Sequence, residues 1–186
     1  EICTATHSVF QWLDLHGPVD KDKVDKTIDA LVKRQLIAPT VAKRINRAGI
    51  VKFYQTDVGK QLLADPDNVH REVPFSLLMN GGEIFSALEP KEKEHILIHG
   101  IIDGYLEDED GILLFDYKTD HVDRTNQARS VQQIRDRYRG QLVLYERALH
   151  LMEPVPVKEM VLYLVDSGQI VPVTGKTRKD VGNGHD

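Results

Sequence analysis

Two aspartates stand among large apolar residues in the segment IIDGYLEDEDGILLFDYKTD, which covers residues 101–120. They are Asp103 and Asp116, and Lys118 follows the second aspartate two positions later. Side chains alternate along a β-strand, so Asp116 and Lys118 would point to the same face of a strand. The Asp-Gly pair at residues 110–111 is typical of a tight turn between antiparallel strands. The segment therefore predicts a β-hairpin that brings three charged side chains together.

The register of this hairpin decides whether the two carboxylates meet. A turn centred on residues 109–111 places Asp103 opposite a residue between Asp116 and Lys118, and a slip of about one residue would turn Asp103 to the other face. In the favoured register the two carboxylates and the ammonium converge within roughly 5–8 Å. Partial burial of two carboxylates beside one lysine is costly unless their charge is compensated. A divalent cation would compensate it, and oxygen ligands of this kind suit magnesium or manganese.

A plainer interpretation of the same residues is an exposed Asp–Lys ion pair, which contributes little to stability. Short motifs also match by chance, so the hairpin alone favours that plainer interpretation. Other residues of suitable chemistry are His7 in TATHSVF, Glu72 in REVPFSLL, and Gln141 with Tyr145 in GQLVLYERAL. Each has an ordinary structural explanation, although Gln141 and Tyr145 share a helix face and a buried amide needs partners.

Periodicity and turn signals predict the elements that would position these residues. We predict a helix over 4–15, a second helix capped by Asp20, short helices over 41–64, strands over 69–79, 95–105 and 111–118, a long helix over 131–152, and strands over 157–165 and 169–173, with a turn at Gly81-Gly82. This order predicts an α/β fold with a mixed central sheet flanked by helices and a helical N-terminal region. We divide the chain into a helical region over residues 1–66, an α/β core over 67–173 and a tail over 174–186 that we expect to be mobile.

The bulk composition excludes several classes of protein. The 186 residues are 41% hydrophobic and 28% charged, which is typical of a soluble globular domain. No apolar run is long enough to span a membrane and no secretory signal is visible, while a first residue of Glu1 suggests a fragment of a longer protein. Cys3 is the single cysteine, so internal disulfides and multi-cysteine metal sites are excluded and a reducing, intracellular compartment is expected. The net charge of -5 argues against a protein that coats nucleic acid non-specifically, but it does not exclude a local basic groove, because a bound phosphate responds to the local field.

The order of these motifs resembles one nuclease family. GIIDGY followed by LLFDYKTD resembles motifs II and III of the PD-(D/E)XK nuclease superfamily, in its RecB-type branch. That branch has a histidine near the start of the domain, which His7 matches. It also has a Q-x-x-x-Y helix after the lysine strand, which Gln141 and Tyr145 match. The resemblance covers residues 7–145, and the ordered set is more specific than any one motif.

The resemblance implies a restriction-endonuclease-like fold and metal-assisted hydrolysis of DNA phosphodiester bonds. In the implied site, Asp103, Asp116 and His7 would ligate Mg²⁺ or Mn²⁺, and the backbone carbonyl of Tyr117 would be a further ligand. Lys118 would orient or activate the attacking water and balance charge on the scissile phosphate.

Two further groups of residues have supporting roles in this interpretation. Gln141, with Tyr145 beside it, would position the metal shell or the DNA backbone, and Glu72 would be an outer group of the site. The arginine-rich stretch 124–147 is either a phosphate-contacting groove or a solvated helix face. Tyr138, in the same stretch, would pack in the core or stack on a base.

Within the RecB-type branch, EVPFS and DYKTD are most similar to nuclease domains of helicase–nuclease subunits of the AddA (RexA) type. That similarity implies a single-stranded DNA exonuclease for double-strand break repair in the bacterial cytoplasm, a partner subunit of the AddB/RexB type, and ATP used only by a helicase portion. The nuclease domain of such a partner carries a four-cysteine iron–sulfur cluster, which a chain with one cysteine cannot hold. The alternatives are a stand-alone RecB-like nuclease and a non-cleaving DNA-binding module on the same fold.

Overall fold

The computed structural model describes residues 1–80 and 95–175 of the chain. Helices come first, and strands dominate the rest. The helices are α1 (Ile2–Trp12), α2 (Lys21–Lys33), α3 (Pro39–Ala42), α4 (Arg47–Phe53), α5 (Asp57–Ala64) and α6 (Gln127–Met152), with a 3-10 turn at Pro66–Asn68. The strands are β1 (Val69–Asn80), β2 (His95–Asp108), β3 (Gly111–Lys118), β4 (Val157–Leu164) and β5 (Gln169–Val173).

The described strands form one five-stranded sheet in the order β1-β2-β3-β4-β5. β3 and β4 are parallel, whereas the other neighbours are antiparallel. Parallel neighbours need a long crossover connection, and α6 supplies it between β3 and β4. The predicted α/β fold, a mixed sheet flanked by helices, is therefore confirmed.

Helices cover both faces of the sheet. One hydrophobic cluster joins the α1–α5 layer to the sheet through side chains such as Phe10, Phe53 and Tyr163. A second cluster joins α6 to the opposite face through Leu142 and Leu162. Burial of each such side chain contributes about 1.5–3 kcal/mol. Because β3 and β4 are buried on both faces, their sequences GILLF and VLYL are apolar without alternation.

The predicted elements are present, with shifted ends. Asp20 caps α2 by accepting a hydrogen bond from the Lys23 amide at 2.8 Å, as predicted. α6 begins at Gln127 rather than at Val131, because the first turn is exposed and leaves no apolar period to detect. β2 continues to Asp108 because only two residues connect it to β3.

The end of α1 was predicted three residues too late. The helix stops at Trp12, whose side chain is 50% exposed and so lies outside the buried face of the helix formed by Ala5, Val9 and Phe10. Arg71 of β1 donates hydrogen bonds from Nη1 to the carbonyls of Phe10 and Leu13, at 2.8 and 2.6 Å. These carbonyls at the end of α1 have no partners within the helix, so the arginine fixes where the helix ends.

Two sequence predictions concern residues that the structure does not describe, namely the turn at Gly81-Gly82 and the tail beyond residue 175. Across residues 1–80 and 95–175, no helix combines the length and the apolar character that a membrane crossing requires.

Candidate active site

The β2–β3 hairpin has a two-residue turn, and this turn sets the register. Asp108 pairs with Gly111 and Gly104 pairs with Phe115, so an extension of the ladder by one residue places Asp103 opposite Asp116. The prediction from sequence centred the turn on residue 110, whereas it is centred between residues 109 and 110, and for this reason the prediction placed Asp103 opposite Tyr117. The backbone amide of that residue, Tyr117, still donates to Asp103 Oδ2 at 2.9 Å. The two carboxylates consequently lie on the same part of the sheet.

In β1, the strand next to β2, the side chains switch from one face of the sheet to the other beside Asp103. The register of β1 with β2 places Glu72 opposite Asp103. Val69 packs with the α1–α5 layer, whereas Val73 packs with the α6 layer. Residues four apart on a regular strand would point to the same face, so the strand is irregular between them. Glu72 lies between them with a φ of 52°, in the left-handed region that non-glycine residues rarely adopt. This backbone turn brings the side chain of Glu72 toward the carboxylates.

His7 comes to Asp103 from the helical layer. Its Nε2 lies 3.0 Å from Asp103 Oδ2, and its Nδ1 lies 2.7 Å from the carbonyl oxygen of Cys3. A carbonyl only accepts, so Nδ1 carries a proton and Nε2 is the nitrogen that faces the carboxylates. Burial lowers the pKa of His7, but the hydrogen bond and charge of Asp103 outweigh burial and raise this pKa to about 10. A hydrogen bond of Nδ1 to a backbone carbonyl is the usual arrangement of a metal-binding histidine.

Asp116 is the more deeply buried of the two aspartates, with 1% of its surface exposed. Burial and the charge of Asp103 raise the pKa of Asp116 to about 8. Burial also opposes ionisation of Asp103, but the hydrogen bond from His7 outweighs it and lowers the pKa of Asp103. Two buried acidic groups therefore lie together, and burial together with the charge of Asp103 opposes the ionisation of Asp116.

Lys118 extends from the end of β3 between β3 and α6. Its Nζ lies 2.9 Å from Asp116 Oδ2 and donates to Gln141 Oε1 at 2.7 Å. The amide nitrogen of Gln141 donates in turn to the Tyr145 hydroxyl at 2.9 Å. Burial opposes the charge of Lys118, but Asp116 raises the pKa of this lysine, which is therefore a cation at neutral pH. Gln141 and Tyr145, four residues apart on α6, thus hold the side chain of Lys118 from β3 in place.

The donor set of this cluster fits a divalent cation. Two carboxylates and an imidazole nitrogen are ligand types that such ions accept. Asp116 Oδ2 is buried and makes no hydrogen bond in the part of the chain that the structure describes, because its contact with Lys118 is close but not aligned as a hydrogen bond. His7 contacts Oδ2 of Asp103, and Lys118 contacts Oδ2 of Asp116. Over residues 1–80 and 95–175, no three His, Cys, Asp or Glu side chains are arranged around one point as metal ligands would be.

The remaining predicted residues divide into two groups. Tyr117 stacks its ring on Phe10 at 3.7 Å between ring centres, and its carbonyl as a metal ligand stays a prediction. In the arginine-rich stretch, Arg135 donates to the backbone carbonyl of Pro172 in β5, and Arg139 donates to that of Thr174, just after β5. These two guanidinium groups are therefore engaged in the fold, whereas the arginine between them, Arg137, pairs with an aspartate beside the site.

Asp120 is the residue that sequence reasoning missed. Its carboxylate accepts hydrogen bonds from the Tyr138 hydroxyl at 2.9 Å and from Arg137 at 2.6 Å. The available signal was its spacing, since Asp120 follows Lys118 by two residues in DYKTD.

The comparisons with known proteins agree with this geometry. Residues 4–184 match the PD-(D/E)XK nuclease superfamily. A protein of Limosilactobacillus reuteri, named as the A subunit of an ATP-dependent helicase/nuclease, is 53% identical over 94% of this chain and 13% of that protein. Proteins of the same name from Levilactobacillus brevis and Lacticaseibacillus casei are 46% and 45% identical, over 93% and 91% of this chain and 14% and 13% of their own lengths. The chain thus spans a small fraction of these relatives.

Proposed function

Because this chain belongs to the PD-(D/E)XK nuclease superfamily, we propose that it is the metal-dependent nuclease domain of an AddA-type helicase–nuclease subunit. Its reaction is hydrolysis of phosphodiester bonds in single-stranded DNA. The observation that carries the proposal is that side chains from three separate elements meet, namely His7 of α1, Asp103 of β2, and Asp116 with Lys118 of β3. An incidental ion pair on a hairpin would not gather an imidazole from another layer of the fold.

Asp103, Asp116 and His7 are the groups that would hold the metal, with Mg²⁺ as the first choice and Mn²⁺ as the second. When bound, a divalent ion neutralises charge on the phosphoryl oxygens and lowers the pKa of a bound water. The buried, mutually repelling carboxylates support this assignment, because a divalent charge is what their pairing lacks. The backbone carbonyl of Tyr117 lies in sequence between Asp116 and Lys118 and completes the proposed set.

Lys118 is the group that would meet the substrate. Its ammonium is a compact charge that can orient a water and an oxygen of the scissile phosphate together. Gln141 holds this ammonium through its side-chain oxygen, and Tyr145 fixes the orientation of the amide. The Lys118 ammonium is therefore positioned before any phosphate arrives, which limits the reorganisation required during the reaction.

The wider context follows from the relatives' names and remains within the proposal. They are the A subunits of helicase/nucleases, so we assign ATP hydrolysis to regions outside the matched segment and a partner subunit of the AddB/RexB type to the complex. The setting is double-strand break repair and recombination in the bacterial cytoplasm. Residues 1–66 count as part of the nuclease domain because they contribute His7 to the site, and 67–173 supply the other site residues.

The test is cleavage of end-labelled single-stranded and double-stranded DNA by the 186-residue chain with Mg²⁺, Mn²⁺, Ca²⁺ or chelator. We expect cutting with Mg²⁺ or Mn²⁺, and a loss of at least about 100-fold in Asp116→Asn and Lys118→Gln. Lys158→Gln is the matched control, because Lys158 pairs with Asp108 on the same sheet away from the site. Unchanged cutting by Asp116→Asn would refute the site, whereas DNA binding with no cutting in any metal would support the non-cleaving module. A stand-alone RecB-like nuclease is distinguished from an AddA-type protein by the sequence that flanks this domain in its gene product.

A further inference from the structure

The ammonium of Lys118 has a third neighbour that the proposed mechanism does not use. Its Nζ lies 4.2 Å from the centre of the Tyr138 ring, facing the plane of the ring. Tyr138 lies on α6, three residues before Gln141, so the two side chains share one helix face. Lys118 therefore lies between a carboxylate, an amide oxygen and an aromatic face, and 13% of its side chain is exposed.

The Tyr138 ring is itself held from the other end. Its hydroxyl donates to the Asp120 carboxylate, with both oxygens at 2.9 Å. Arg137 pairs with the same carboxylate at 2.6 Å. Asp120 follows Lys118 by two residues, so the hydroxyl ties α6 to the segment that leaves β3. The ring is thus anchored to the chain on which the lysine lies.

We propose that Tyr138 is a positioning residue for Lys118: its anchored ring holds the lysine ammonium against Asp116 and Gln141 in the catalytic geometry. This inference rests on the proposed nuclease function, and it extends the site to Tyr138 and its anchor Asp120. The face of an aromatic ring attracts a cation, and the attraction strengthens where water is excluded.

Two simpler roles for Tyr138 make different predictions. If the ring only filled space in the α6 layer, Tyr138→Leu would change the free energy of unfolding, and it would affect kcat and KM to similar extents. If it stacked on a base of the DNA, its loss would raise KM for DNA. A positioning role instead lowers kcat, because the lysine stays charged but is no longer held where the phosphate reacts.

The first test is a spectroscopic one and needs no metal or DNA. In protein labelled with ¹³C-lysine, the ring should shift the εCH₂ proton signals of Lys118 away from those of the other lysines, and Lys118→Arg assigns them. We expect this displacement to disappear in Tyr138→Leu, to shrink in Tyr138→Phe because the anchor to Asp120 is lost, and to persist in Tyr105→Phe. Tyr105 is the control for loss of a hydroxyl, since its own contact is to Glu153. Identical Lys118 signals in Tyr138→Leu and in the unmodified protein would overturn the proposal.

The second test is kinetic. Tyr138→Leu should lower kcat about tenfold, while KM for DNA and the affinity for Mn²⁺ remain within about twofold of their original values. Tyr138→Phe should recover part of the loss, because the aromatic face remains. A raised KM with unchanged kcat would assign the ring to base stacking and refute positioning. If the unmodified chain does not cut DNA at all, the proposed function fails, while the lysine signals still decide whether the Tyr138 ring faces Lys118.

Discussion

His7 Nε2 lies 3.0 Å from Asp103 Oδ2, although the two residues are 96 positions apart in the chain. The contact joins the first helix to the second strand of the sheet at one carboxylate. The helical layer is therefore a part of the site and is more than a cover for the sheet. It also gives His7 the orientation of a metal ligand, because Cys3 fixes the other ring nitrogen.

Replacement of His7 by alanine should weaken divalent metal binding by about 10- to 100-fold, since a nitrogen ligand is lost while both carboxylates remain. Calorimetric titration with Mn²⁺ measures the affinity, and the rise in melting temperature on metal addition provides a second measure. His121→Ala is the control, because His121 makes a similar histidine–aspartate contact with Asp166, at 3.1 Å, on the surface. Equal affinities for the His7 variant and the control would remove His7 from the ligand set.

Gln141→Ala should reduce kcat by about tenfold with a small effect on metal affinity, because Lys118 loses the oxygen that accepts its hydrogen bond. Single-turnover cleavage at saturating Mg²⁺ would measure the chemical step. Gln132→Ala serves as the control on the same helix, since Gln132 contacts Asp136 and Arg135. A drop in Mn²⁺ affinity equal to the drop in kcat would place Gln141 in the metal shell instead.

Glu72 separates a backbone role from a side-chain role. Its φ of 52° costs about 1 kcal/mol for a residue with a Cβ, so Glu72→Gly should leave the free energy of unfolding within about 1 kcal/mol of its original value. Glu159→Gly, on the interior strand β4, should cost about 1 kcal/mol more, because glycine only weakens an extended strand. Urea unfolding of both variants measures the difference, and a larger loss for Glu72→Gly than for Glu159→Gly would contradict the strain.

The carboxylate of Glu72 is a separate prediction. Burial, and next the charge of Asp103, raise the pKa of Glu72, so the carboxylate of Glu72 interacts with that of Asp103. Glu72→Gln should therefore lower the cutting rate, by about tenfold if the group orients water or metal in the site. Glu159→Gln is the matched control and should cut at the original rate. Full activity of Glu72→Gln would restrict Glu72 to its backbone role.

Arg71→Met should lower the free energy of unfolding by about 1–3 kcal/mol, since the carbonyls of Phe10 and Leu13 lose their donor at the end of α1. The same change should weaken Mn²⁺ binding, because α1 carries His7. Urea unfolding and metal titration measure the two effects, and the exposed Arg129→Met should show neither. Loss of stability with unchanged metal affinity would show that Arg71 does not position His7.

Local patterns were enough to predict much of this site. Residues two apart on a strand share a face, which paired Asp116 with Lys118, and residues four apart on a helix share a face, which paired Gln141 with Tyr145. The Asp-Gly pair at 110–111 likewise predicted the hairpin turn, which lies at Glu109-Asp110. The face-sharing pairs follow from the regular period of a strand or a helix, so they can be predicted wherever the chain keeps one regular conformation.

The tertiary structure decided the relationships that cross elements. Local patterns left His7 an ordinary helical histidine, which only the family resemblance named as a metal ligand. They also placed Asp103 one residue out of register and did not select Asp120 or Arg71. The sequence also offered the arginines of 124–147 as one group, whereas Arg135 contacts β5, Arg139 contacts Thr174 just after β5, and Arg137 pairs with Asp120. Such contacts depend on how helical layers pack across a sheet, where no fixed spacing in the chain relates the partners. Residue types and local repeats therefore determined the chemistry this chain can offer, and the packing of α1 and α6 on the sheet determined that it is gathered at one place.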